Sequence, residues 1–93
     1  MNSHKIEVLA KKLKAIANDK RLKILYHIMD DNELSVGEIE KLVDLSQSAL
    51  SQHLAVLRQE DVVKTRRKAQ TIYYSVKDEK IRQILAQLGE LYL

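Results

Sequence analysis

Residues 45–59 read LSQSALSQHLAVLRQ. Leu50, Leu54 and Leu57 recur at i, i+4 and i+7, the spacing that lays apolar side chains on one face of a helix. Ser48, Ser51, Gln52, Ala55 and Arg58 are then expected on the opposite face, with Gln47 at its entrance. Elsewhere the chain writes its solvated helix faces in Lys and Glu, as in KKLK (11–14) and EIEK (38–41). A helix face of hydroxyls and amides calls for a partner other than bulk water.

The residues just upstream supply a context. A short helix is expected over about 36–43, capped by Ser35, with Ile39, Leu42 and Val43 turned inward. Asp44-Leu45-Ser46 is too short for anything but a tight turn, and Ser46 can cap the next helix, about 47–60. Helix, short turn and helix form a helix-turn-helix, whose second helix enters a DNA major groove. That groove is about 12 Å wide, and its base edges present donors, acceptors and the thymine methyl. Gln and Ser both donate and accept, so they can read such edges where a long cation would bind phosphate indifferently. Helix capping accounts for Ser46 and for Gln47. It does not account for Ser51 and Gln52 in mid-helix, and His53 lies beside them, at the edge of the face.

Downstream the period changes. VVKTR (62–66) and TIYYSV (71–76) are β-branched and aromatic, and Ile72, Tyr74 and Val76 alternate with Thr71, Tyr73 and Ser75. A hairpin follows, spanning about 62–76, with Arg66, Arg67 and Lys68 beside Gln70 and Thr71 at its tip. Cations on an extended arm suit phosphates or an adjacent minor groove. Directly after a helix-turn-helix, such an arm reads as the wing of a winged helix.

Two amphipathic helices are expected before this core, about 4–17 and 19–30, and one after it, from about Asp78 to the end. In the second, Leu22, Leu25, Ile28 and Met29 form the expected buried stripe, and the DDNELS stretch (30–35) reads as a polar connection. The fold class is therefore mainly α with a β-hairpin, in the order α-α-α-α-β-β-α, with residues 1–93 forming a single winged helix-turn-helix domain. The first and last helices are richer in apolar residues than the core needs. Ile6, Leu9, Leu13, Ile84, Leu88 and Leu91 are expected to bury a partner surface, most simply in a two-fold homodimer.

Composition bounds the alternatives. An apolar share of 45% with 31% charged residues excludes the disordered class, and two Gly with no Pro favour helices. The absence of cysteine removes disulfides and thiolate chemistry. No apolar run has the ~20 residues of a membrane span, and the N-terminal stretch lacks the apolar segment of a signal peptide, so a cytoplasmic protein without membrane partner is expected. The net charge of +3 is uneven: residues 1–46 balance at eight basic and eight acidic, whereas residues 47–77 carry six basic and two acidic. The excess accompanies the polar helix and the hairpin. His4, His27 and His53 are not spaced as a helical metal pair, and Gly37 and Gly89 are isolated, so no catalytic residue, metal site or cofactor is expected. A winged-helix module that binds protein rather than DNA is the other reading.

Three stretches carry a resemblance to the ArsR/SmtB-type winged-helix repressors: LKAIANDKRLKIL (13–25), ELSVGEI (33–39) and LSQSALSQHLAVLRQEDVVKTRRKAQTIYYSV (45–76). The last is most similar to the branch of biofilm-growth and haemolysin regulators. The resemblance implies a homodimeric DNA-binding repressor that leaves a palindromic operator when an inducer binds. That branch is linked to sensing oxidants through two cysteines, which this chain lacks. Ser35 and Gly37 stand where metal-sensing relatives carry cysteines. Of the last-helix ligand set Asp78 is present, but Lys80 and Leu91 occupy the histidine places. DNA binding carries over by resemblance, while the inducer remains unassigned.

Overall fold

A computed structural model describes residues 2–93. The elements run α1 (Ser3–Ile16), α2 (Asp19–Asp31), β1 (Leu34–Ser35), α3 (Val36–Leu42), α4 (Gln47–Gln59), β2 (Val63–Lys68), β3 (Thr71–Val76) and α5 (Glu79–Tyr92). Each helix start is capped locally. Asn18 accepts from the amides of Lys20 and Arg21, Ser46 from Ala49, and Asp78 from Lys80 and Ile81. Ser35 and Glu38 exchange side-chain and backbone hydrogen bonds in a capping box that opens α3.

The stretch expected as a plain polar connection contains a strand. Leu34 and Ser35 pair antiparallel with Tyr74 and Tyr73, giving a three-stranded sheet in the order β1-β3-β2. Two residues are too few to show a period, and the strand is defined by its pairing with β3, with Leu34 buried in the core. The hairpin is longer than expected in its first arm, since β2 continues to Lys68, which lies opposite Thr71. Ala69 and Gln70 make the turn, with Ala69 at a positive φ of 55°.

Leu50, Leu54 and Leu57 of α4 enter the core with Ile24, Leu25 and Ile28 of α2, Ile39 of α3 and Tyr74 of β3. In α2 the buried stripe is thus centred on Ile24, with Leu22 and Met29 at its margin. Leu42, expected inward, is exposed. It ends α3, and the following Val43 takes the buried place. Of α1, only Ala15 and Ile16 are buried. Ile6, Val8, Leu9 and Leu13 of α1 lie exposed, as do Ile84, Leu88 and Leu91 of α5, and Val8, Leu9 and Ile84 line one open cleft between the two helices. Lys12 and Asp78, 2.6 Å apart, join α1 to the start of α5.

Candidate nucleic-acid interface

Helix α4 is anchored by its three leucines and presents Ser48, Ser51 and Gln52 to solvent. None of these three side chains is hydrogen-bonded within the chain among the described residues. Gln47, also exposed, is at the limit of a hydrogen bond, its amide nitrogen 3.5 Å from Glu40 Oε1 of α3. Ala55 is half-buried at the edge of the same face.

Helical geometry turns about 100° per residue, so His53 lies one step round from Gln52 and Arg58 about 120° round on the other side. Arg58 thus lies about 20° from Ser51, at the margin of the polar face. It leans toward the sheet, where its guanidinium donates to the Tyr74 hydroxyl and sits 5.9 Å from that ring's centroid. His53 leans toward α2, with Nδ1 3.1 Å from Arg21 Nη1. Partial burial, then the neighbouring Arg21 charge, hold the His53 imidazole below its ordinary value. The helix is braced on both flanks, and its outer face is left free.

The hairpin divides differently. Arg66, expected at the tip, stands in mid-strand opposite Tyr73. Its Nε donates to Glu33 Oε2 at 2.9 Å and its Nη2 to Oε1 at 2.5 Å, a forked pair, and the guanidinium stacks 4.5 Å from the Tyr73 ring centroid. The Arg66 hydrogen bonds hold the Glu33 carboxyl below the usual carboxylate range. Arg67, Lys68, Gln70 and Thr71 are exposed, and among the described residues none has a side-chain partner. The free cations of the tip are therefore two, both at the end of β2 just before the turn.

Sequence reasoning missed Arg21 and Glu33 because both act through contacts made only on folding. Arg21 lies 32 residues from His53, and Glu33 lies 33 residues from Arg66. Among the described residues no three His, Asp or Glu side chains converge as metal ligands, and no helix is long and apolar enough to cross a membrane.

Residues 18–65 match the family described as bacterial regulatory protein, arsR family. The transcriptional activator HlyU of Vibrio cholerae serotype O1 is 50% identical over 91 residues, covering 98% of this chain and 81% of that protein. The solved structure of HlyU from Vibrio cholerae N16961 superposes with a TM-score of 0.90 at 44% identity, over 99% of this chain and 98% of that one. The transcriptional repressor PagR of Bacillus anthracis gives 0.84 at 34% identity, over 94% and 99% of the two chains. A winged helix with an unpaired polar recognition face, matched to regulators along nearly its whole length, is not an enzyme: the chain belongs to the arsR family of bacterial regulatory proteins and is a transcriptional regulator that binds DNA through its helix-turn-helix.

Proposed function

We propose that two copies of this chain, each a single winged-helix domain over residues 1–93, bind a palindromic operator as a two-fold homodimer and repress the adjacent promoter. Gln47, Ser48, Ser51 and Gln52 of each copy read base edges in the major groove, with His53 and Arg58 at the margins. Arg67 and Lys68 hold backbone phosphates or the neighbouring minor groove, with Gln70 and Thr71 beside them and Arg66 bracing the arm at mid-strand. The single observation that carries this reading is the exposed hydroxyl-and-amide face of α4, where Ser48, Ser51 and Gln52 have no side-chain partner among the described residues, beside two free cations. One such helix touches few bases, whereas two of them about 34 Å apart span successive turns of the groove. The chain acts in the cytoplasm, where bacterial DNA is reached, and needs no cofactor for binding.

The exposed apolar face of α1 and α5 supports the homodimer. Among the described residues, every exposed large hydrophobic apart from Leu42 lies on those two helices or at Leu93, which follows α5. A patch of that kind marks an interface. Leu88→Asp places a carboxylate in its middle. It is expected to give a monomer by sedimentation and to lower operator affinity by at least about a hundredfold, since one half-site must then hold alone. A Leu88→Asp protein that stays dimeric and binds normally removes α5 from the interface.

The DNA reading itself is tested by anisotropy titration against genomic fragments at several salt concentrations. The logarithm of affinity falls linearly with log[salt] for a protein that displaces counterions from phosphates. A folded protein with no salt-dependent affinity for any fragment would instead be a protein-binding winged helix. The named relatives include both an activator and a repressor. Mapping the bound sites against promoters distinguishes direct repression from activation by displacing a silencing protein.

A further inference from the structure

Arg21, on α2, turns its whole guanidinium to two other helices, α1 and α4. Its Nε donates to the Ala15 carbonyl and its Nη2 lies 3.4 Å from the Lys14 carbonyl, both at the C-terminal end of α1. Its Nη1 faces His53 Nδ1 of α4 at 3.1 Å. A guanidinium only donates. The Nδ1 atom must therefore accept, and the imidazole is the neutral tautomer with its proton on Nε2. No protein group among the described residues bonds Nε2, and no buried side-chain nitrogen or oxygen lacks a partner, so Nε2 reaches solvent. The ring thus offers one outward N–H, one helical step from Gln52.

We infer that Arg21 is the positioning residue for His53, fixing it as a neutral Nε2–H donor to a phosphate oxygen of the duplex. This rests on the proposed docking of α4 in the groove. A donor on the helix flank meets the wall of the groove, where the backbone runs, before its floor. Because the donor is uncharged, it adds a directed hydrogen bond without releasing a counterion. The same guanidinium holds the end of α1, so the contact ties the recognition helix to the helix carrying the proposed dimer face. The charges around the ring are Arg21, Lys20 and Asp19, all from the start of α2, and the two cations oppose a second proton on it while Asp19 favours one.

The test combines ring nitrogen NMR of the free protein with binding. Wild-type His53 is expected to show a protonated Nε2 and a bare Nδ1, and Arg21→Gln should abolish that preference and raise the ring's midpoint. An Nδ1-protonated ring in the wild type overturns the assignment without any DNA present. His53→Ala keeps Arg21 on the α1 carbonyls and so spares the fold. It should weaken specific and random DNA alike by about tenfold, the share of one hydrogen bond to a charged oxygen, with the salt slope unchanged. Arg21→Gln should cost a similar factor and the double variant no more than either single one. His53→Gln, whose amide nitrogen stands near the Nε2 place, should recover part of the loss. Undiminished binding by His53→Ala, a shallower slope, or additive losses in the double variant would overturn the proposal. If the wild type itself binds no DNA, the docking of α4 fails instead, whatever the NMR reports.

Discussion

The recognition helix and the wing face the same proposed duplex but are built on opposite plans. Helix α4 carries its polar outer face with no charge at its centre, and its two flanks are braced by Arg21 and by Tyr74. The wing is cationic, but Arg66 in mid-strand is committed to Glu33 and Tyr73, which leaves Lys64 below it and Arg67 and Lys68 at the end unpaired among the described residues. A braced, uncharged surface loses most when a single donor or acceptor is mismatched. A pair of cations at a hairpin end loses little by shifting to the next phosphate. Discrimination therefore belongs to the helix and grip to the wing.

The largest effect should come from the helix. Gln52→Ala is expected to cost roughly 1–3 kcal/mol on the operator and to relax selection at one base pair. Competition binding with operators substituted position by position checks this. An equal loss on random DNA would move Gln52 from base reading to the backbone and erase the difference between the two regions.

Arg67→Ala should cost less and do so on every sequence, lowering the slope of log affinity against log[salt] by roughly one phosphate contact, about 0.9. Arg66→Ala should change that slope by less than Arg67→Ala, because its guanidinium already has the Glu33 carboxylate as counter-charge. Salt titrations of the two variants side by side decide the matter. Identical slopes would mean that Arg66 leaves Glu33 for phosphate when DNA arrives.

That pair of arginines also marks where the sequence stopped being readable. The helix-turn-helix was legible because its cues are local: three leucines at helical spacing, a short turn, and Ser35 and Ser46 placed to cap. The outer face followed from the same period. Arg58, seven residues after Ser51, falls at its margin by that period, but its hydrogen bond to Tyr74 is a contact made only on folding. Strand β1 was hidden because Leu34–Ser35 has no period and exists only through pairing with β3. Arg66 and Arg67 are adjacent and chemically alike, and only the strand's alternation with Glu33 across the sheet separates the committed cation from the free one. The apolar surplus of α1 and α5 was legible as such: Ala15, Ile16, Ile81 and Leu85 enter the core, while Ile6, Leu9, Leu13, Ile84, Leu88 and Leu91 stay exposed.

A smaller effect is expected at the turn of the wing. Ala69 holds a left-handed backbone, φ 55°, which costs an L-residue roughly 1–2 kcal/mol. Ala69→Gly removes that strain and adds unfolded-chain entropy, leaving a net gain of about 0.5–1 kcal/mol. Thermal unfolding measures it, and base selection on the operator should stay as in the wild type. A loss of selection would show that the wing's geometry, and not only its charge, contributes to reading.

The least effect at neutral pH, and the sharpest contrast in order, concerns acid. Burial, then Arg21, lower the His53 pKa from its ordinary 6.5, and the Arg66 hydrogen bonds lower that of Glu33 from 4.5. In both cases the unfolded chain takes up its proton first, so each contact contributes stability that is present above the ordinary value and lost as pH falls through the depressed one. The His53 window lies higher. Acidification should therefore release the α2 flank of the recognition helix first and the middle of the wing only afterwards, while the Arg58–Tyr74 brace, which holds no carboxylate or imidazole, persists through both steps. NMR titration of the His53 ring and the Glu33 carboxyl, with the Tyr74 ring as reference, follows the sequence of events. Simultaneous loss of all three would mean that helix and wing open as one unit, and the division of labour between them would then have no structural basis in separate supports.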